Sequence, residues 1–134
     1  MANQDKVILV LEDERPLLEA IRLKLEKNSF EVVTARTVEQ AKHYVEDLTR
    51  VDAIWLDHYL IGKEDGLDFV AWCKEEDNNK CKEIPIFVVS NTASADKVST
   101  YLRFGAKEYF VKSNHRLDEI VQAIAEYLNG GKNN

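Results

Sequence analysis

A pattern of alternation limits what this chain can become. Short aliphatic runs of strand length are followed, five times over, by segments whose apolar residues recur at helical spacing. The first run is Lys6 to Leu11, aliphatic without interruption from Val7 onward, and Glu31 to Ala35, Val51 to Leu56, Pro85 to Val89 and Lys107 to Val111 are the others. Runs with no polar alternate belong to strands covered on both faces, as in the middle of a parallel sheet. Arg15 to Lys27 reads as a helix, with Pro16 in its first turn, Leu18, Ile21 and Leu25 on one face, and Asn28 as the left-handed residue that closes it. Thr37-Val38-Glu39-Gln40 has the capping-box pattern and opens a second helix with Val38, Ala41, Val45 and Leu48 along one side. A third helix is expected from Gly66 to Glu76 and a fourth from Ser94 to Phe104, closed by Gly105. The fifth carries Leu117, Ile120, Val121, Ile124 and Leu128. Parallel strands joined by helices cross over right-handedly and put helices on both faces of the sheet. The expected fold is therefore α/β, a doubly wound flavodoxin-like sandwich of five βα units with strand order 2-1-3-4-5.

At 134 residues a single domain is expected, over residues 5–129, with Gly130-Gly131-Lys132-Asn133-Asn134 as a disordered tail. The 24 acidic and 18 basic residues leave a net charge of -6 with no clustered basic face, which argues against nucleic acid as a direct partner. No apolar run reaches membrane-spanning length and the N-terminus lacks the regions of a signal peptide, so no membrane partner is expected and the cytoplasm is the expected location. Cys73 and Cys81 have no metal-ligand spacing and no histidine nearby, and reduced thiols are expected. His43, His58 and His115 show no metal-like grouping and read as surface or loop residues.

Chemistry gathers where the strands end. The run from Val51 stops abruptly on Asp57, and Glu12 and Asp13 follow the first run at once. In open parallel α/β sheets ligands bind outside the carboxyl ends of the strands, at the point where strand order reverses, which here lies between strands one and three. Glu12, Asp13 and Asp57 should converge there, with Ser90 and Lys112 at the ends of strands four and five. Taken singly, Asp57 and Ser90 would be helix caps, Tyr109 an ordinary strand aromatic and Lys112 a solvated charge. Their joint placement is what points to a site. Three adjacent carboxylates raise one another's pKa unless compensated, and hard oxygen donors with open positions suit Mg²⁺.

These residues resemble the receiver domain of two-component response regulators, over essentially the whole chain. The resemblance implies a stand-alone phosphoacceptor in which Asp57 takes a phosphoryl group from a histidine kinase or histidine phosphotransfer protein. Glu12, Asp13, Asp57 and the backbone carbonyl of Tyr59 match the Mg²⁺ ligands, Ser90 the switch hydroxyl, Tyr109 the switch aromatic and Lys112 the invariant lysine. Such a domain is not an ordinary enzyme, although it catalyses its own phosphorylation and slow autodephosphorylation. Its output face is formed by the fourth helix, fifth strand and fifth helix, including Lys97, Tyr101, Arg103, Lys107 and Tyr109, and would meet a separate output protein or phosphatase. Three features depart from the family pattern: Leu60-Ile61 replaces Met-Pro, Gly66 falls one residue late, and Ser113 stands where a proline follows the lysine. A cis peptide before serine would cost about 2.5–4 kcal/mol, against about 0.5–1 before proline.

Other classes fit these residues less well. A flavin-binding flavodoxin needs phosphate-cradling amides after strand one, where Glu12-Asp13-Glu14 would repel a phosphate, and a haloacid dehalogenase-type phosphatase needs Asp-x-Asp in its first strand. A degenerate receiver that binds proteins without being phosphorylated is the remaining alternative. Tyr59 and Thr92 lie two residues beyond Asp57 and Ser90, where side chains should flank the approach of a hydrolytic water and so tune dephosphorylation.

Overall fold

Five strands, β1 (Val7–Leu11), β2 (Glu31–Ala35), β3 (Ala53–Leu56), β4 (Ile86–Ser90) and β5 (Glu108–Val111), pair in parallel in the order β2-β1-β3-β4-β5 in the computed structural model. Residues 5–130 are described, except 76, 78, 79 and 93, so most of the expected tail lies outside the described residues. Successive side chains in a strand face opposite sides, and each side has its own core. Leu9, Leu11, Ile54, Leu56, Ile86 and Val88 pack under α2 (Val38–Asp47), α3 (Gly66–Cys73) and α4 (Ala95–Phe104). Ile8, Val10, Ala53, Trp55, Phe87 and Val89 pack under α1 (Arg15–Lys27) and α5 (Leu117–Leu128). The register sets Leu11 beside Ala35 on one flank and beside Leu56 on the other, so strands β1, β2 and β3 finish level with one another.

The helix ends follow local chemistry more closely than apolar periodicity. Asn28 is not the left-handed residue of α1: its φ is -97°, its side-chain amide donates to the Lys24 carbonyl, and Ser29 takes the positive φ of 69° instead. The amides of Ser29 and Phe30 donate to the carbonyls of Glu26 and Leu25, the paired bonds of a Schellman closure, and Phe30 packs in the same core as Leu25. Gly105 closes α4 in the same manner with φ 117°, Ala106 donating to the Tyr101 carbonyl. Helix α3 stops at Cys73, short of the expected Glu76, and opens with an Asp65–Asp68 capping box. After β5 the chain makes a 3₁₀ turn over Lys112–Asn114, and none of the described peptide bonds is cis, including that before Ser113.

Two expectations about buried side chains are corrected. Cys73 and Cys81 are joined in a disulfide, because the turns at 80–83 fold back onto the end of α3 and bring the Cα atoms to 5.0 Å, within the span of such a bridge. The Lys74 ammonium ties down the same segment by donating to the carbonyls of Lys82 and Ile84, 2.8 Å each. His58 lies in a loop as expected, but it is only 4% exposed rather than on the surface. Its imidazole packs edge-on to Tyr101, which is fully buried on α4.

Gly66 is the residue on which this packing turns. A Cβ placed there would sit 2.6 Å from the Tyr101 hydroxyl, 2.8 Å from the Asp57 carbonyl oxygen and 3.1 Å from the His58 Cα. We expect Gly66→Ala to lower stability in urea unfolding by about 1–3 kcal/mol, the usual cost of overpacking, despite the better helix propensity of alanine. Adding Tyr101→Phe should not restore it, since the Asp57 carbonyl remains in the way.

Candidate functional site

Backbone pairing runs one residue past the strands and carries the acids with it. The amide of Asp57 donates to the Leu11 carbonyl and that of Glu12 to the Ala35 carbonyl, each at 3.0 Å. Both carboxylates thereby sit at the carboxyl edge of the sheet, Glu12 1% and Asp57 5% exposed. Arg36 donates from Nη2 to the Asp13 carbonyl at 3.0 Å and holds the loop after β1 against the end of β2, a role its sequence position does not announce. One carboxylate oxygen from each of Glu12, Asp13 and Asp57 lies within 4.8 Å of the others.

Lys112 crosses from the end of β5 to this cluster, its ammonium 3.4 Å from Glu12 Oε1 and 3.6 Å from Asp57 Oδ1. One cation against three carboxylates does not balance the burial. Desolvation, reinforced by the charge of Asp57, pushes the Glu12 carboxyl up to about 7, even though Lys112 and the Glu14 amide pull it down. Desolvation also raises Asp57, opposed by Lys112 and by the His58 amide. Converging hard oxygens with spare negative charge are the donor set for a small divalent cation.

The other expected residues form a chain of contacts across the mouth. Ser90 ends β4 fully buried, and its hydroxyl accepts from the Thr92 amide at 3.4 Å. The Tyr109 hydroxyl donates to the Thr92 carbonyl at 2.7 Å, which holds the ring half-buried beside Tyr101, their centroids 5.6 Å apart. Tyr59, 60% exposed, accepts from the Thr92 hydroxyl at 3.1 Å. Behind them, Lys97 lies 3.3 Å from Nε2 of His58, whose Nδ1 is 2.5 Å from the Tyr101 hydroxyl. Burial and the Lys97 charge lower the His58 pKa against the opposing pull of Asp65 and Asp68, and an ammonium at Nε2 suits the tautomer in which Nε2 accepts and Nδ1–H faces the tyrosine oxygen. This His58–Tyr101 pair went unnoticed in the sequence, where forty-odd residues separate its members; the signal was only that His58 adjoins Asp57.

The charge imbalance predicts a pH dependence. A carboxyl raised from 4.5 to about 7 in the folded state contributes stability that is fully present below 4.5 and is lost as pH rises through 7. In chelator, urea unfolding should therefore show stability falling by on the order of 3 kcal/mol from pH 4.5 to 8. Glu12→Gln should flatten that slope.

The model of the response regulator receiver domain family matches residues 8–125. The phosphate regulon transcriptional regulatory protein PhoB of Pseudomonas aeruginosa is 30% identical over 107 residues, 80% of this chain and 45% of PhoB. Its Escherichia coli counterpart is 30% identical over 105 residues, 78% of this chain and 44% of that protein. The chain thus spans about half the length of the curated relatives it matches. Among solved structures, the phosphorylated cyanobacterial phytochrome response regulator RcpA gives a TM-score of 0.83 at 28% identity, over 95% of this chain and 96% of RcpA. The Mn²⁺-bound response regulator Rcp1 gives 0.79 at 26% identity, over 92% and 94%. With its sheet order, its acidic crevice at the switch point and a family match over nearly all of its length, this chain belongs to the receiver domains of two-component response regulators.

Proposed function

We propose that this receiver takes a phosphoryl group from a histidine kinase or histidine phosphotransfer protein onto Asp57. The observation that carries this is the Asp57 carboxylate, 5% exposed, sharing one crevice with Glu12 and Asp13 and lying 3.6 Å from the Lys112 ammonium. An Asp57 Oδ atom attacks phosphorus in line with the phosphorus–nitrogen bond of the donor's phosphohistidine. That bond breaks as the oxygen–phosphorus bond forms, and the imidazole nitrogen keeps the electron pair and takes a proton from water. Lys112 is already poised to face the phosphoryl oxygens with a fixed charge. Mg²⁺, for which Glu12, Asp13, Asp57 and the Tyr59 carbonyl are the proposed ligands, would supply charge neutralisation when bound.

Ser90 is the proposed hydroxyl partner of the attached phosphoryl group, and drawing it inward would pull on the loop whose Thr92 carbonyl anchors Tyr109. Tyr109 would then turn, altering the face of α4, β5 and α5 that bears Lys97, Arg103 and Lys107. Through that face the domain would address a separate output protein, a relay partner or a phosphatase. The domain proper is placed at residues 5–129, acting in the cytoplasm with neither nucleic acid nor a membrane as direct partner; the net charge of -6 supports the former exclusion. Among the described residues no helix is long and apolar enough to cross a membrane.

Tyr59 and Thr92 are proposed to slow hydrolysis of the acyl phosphate, because their joined hydroxyls span the approach of an attacking water. Incubation with Mg²⁺ and acetyl phosphate should add one phosphoryl mass to the wild type and none to Asp57→Asn. A mutant that still gains the mass would overturn the assignment, and a wild type that never gains it would favour a phosphorylation-independent binding module. Tyr59→Asn should shorten the lifetime of the phosphorylated protein by up to about tenfold at fixed Mg²⁺, which corresponds to ~1.4 kcal/mol in the barrier. Equal or slower decay would remove Tyr59 from this role.

A further inference from the structure

His58 stands next to Asp57, is 4% exposed, and has a partner for each of its polar groups. Its amide donates to the Asp57 carboxylate, and its carbonyl accepts from the Gly66 amide at the start of α3, at 3.0 Å. Both ring nitrogens are met from α4. The Tyr101 hydroxyl lies 2.5 Å from Nδ1 and the Lys97 ammonium 3.3 Å from Nε2, with the Asp65 carboxylate 3.9 Å from that same nitrogen. Lys97 and Tyr101 are one helical turn apart, so a single face of α4 takes hold of the imidazole. An apolar side chain would fill this space without needing any partner, whereas a buried imidazole is costly unless its nitrogens are paired. What the histidine adds is direction. A ring fixed at both nitrogens fixes the peptide that bears it, and the amide of that peptide is the one that holds the Asp57 carboxylate.

We propose that His58 is a positioning residue for Asp57: the grip of α4 on its imidazole, through the Tyr101 hydroxyl above all, holds the carboxylate in the orientation from which it attacks phosphorus. This rests on the reading of Asp57 as phosphoacceptor. Positioning is the largest part of what a protein contributes to phosphoryl transfer, so a loosened acceptor reacts more slowly even with every group of the crevice in place. Tyr101 acts through His58 and has no part in the chemistry itself.

The rate at which the full chain gains a phosphoryl mass from acetyl phosphate and Mg²⁺ tests this. Tyr101→Phe keeps the ring beside Tyr109 and deletes only the hydroxyl, while His58→Leu keeps much of the bulk and removes both nitrogens. Each should react about fivefold more slowly than the wild type, the worth of one hydrogen bond. The double variant should be no slower than His58→Leu, because the hydroxyl then has nothing to hold. His58→Asn, whose amide falls where Nδ1 stands, should recover most of the rate lost in His58→Leu. The carboxyl ¹³C resonance of Asp57 should also move in Tyr101→Phe, which a loss of stability alone would not cause. The wild-type rate in either single variant, independent effects that multiply in the double variant, or a His58→Asn no faster than His58→Leu would overturn the proposal. In the wild type, the His58 ring N–H should appear as a slowly exchanging proton on Nδ1. Fast exchange with water would overturn the proposal too, and that result does not depend on how the variants fold. A wild type that gains no phosphoryl mass would instead remove the reading of Asp57 on which the proposal rests, and the proposal with it.

Discussion

Lys112 holds its ammonium 3.4 Å from Glu12 and 3.6 Å from Asp57, and the rest of the structure is arranged around that one reach across the sheet edge. Burying two carboxylates is expensive, and a single cation does not compensate for it, which is why both acids titrate high. A pocket of this kind is at rest with additional positive charge in it. The crevice therefore carries a deficit of positive charge that its own residues build in.

Such a deficit persists only if the acids cannot swing out to water. Asp57 and Glu12 are held by backbone bonds that extend the β1–β3 and β1–β2 ladders by one residue, and β1 and β3 are buried on both faces. The rigidity comes from two cores that grip alternate side chains of the same strands. On one side of β3 this produces close packing around Leu56. On the other, a cavity of about 180 Å³ opens between α1 and α5 beside the same lysine.

Asp57 is also tied to the far side of the molecule. Its carbonyl oxygen and His58 sit against Gly66 at the start of α3, and His58 binds Tyr101 of α4. Tyr101 in turn stacks obliquely on Tyr109, whose hydroxyl holds the loop beyond Ser90. The loop after Asp57, the loop after β4 and helix α4 are thus in contact through a few side chains. The disulfide from Cys73 to Cys81 and the bonds of Lys74 fasten the other end of α3.

Strand and helix alternation alone determined the fold class, because uninterrupted aliphatic runs such as Val7 to Leu11 have no alternative but a doubly covered sheet. It also determined that Glu12, Asp13 and Asp57 meet, since equal strand polarity and the switch point leave those residues one edge to share. Short-range chemistry was legible where one residue decides, as with Thr37 and Gly105. What depends on distance in space was not. The left-handed turn passed from Asn28 to Ser29 because Phe30 had to reach the core beside Leu25. Cys73 found Cys81 only once the chain doubled back, and His58 left the surface because Tyr101 of α4 came to cover it. Periodicity records which face a residue prefers, whereas partners forty residues apart are chosen by how helices settle on the sheet, and that information exists only in the folded chain.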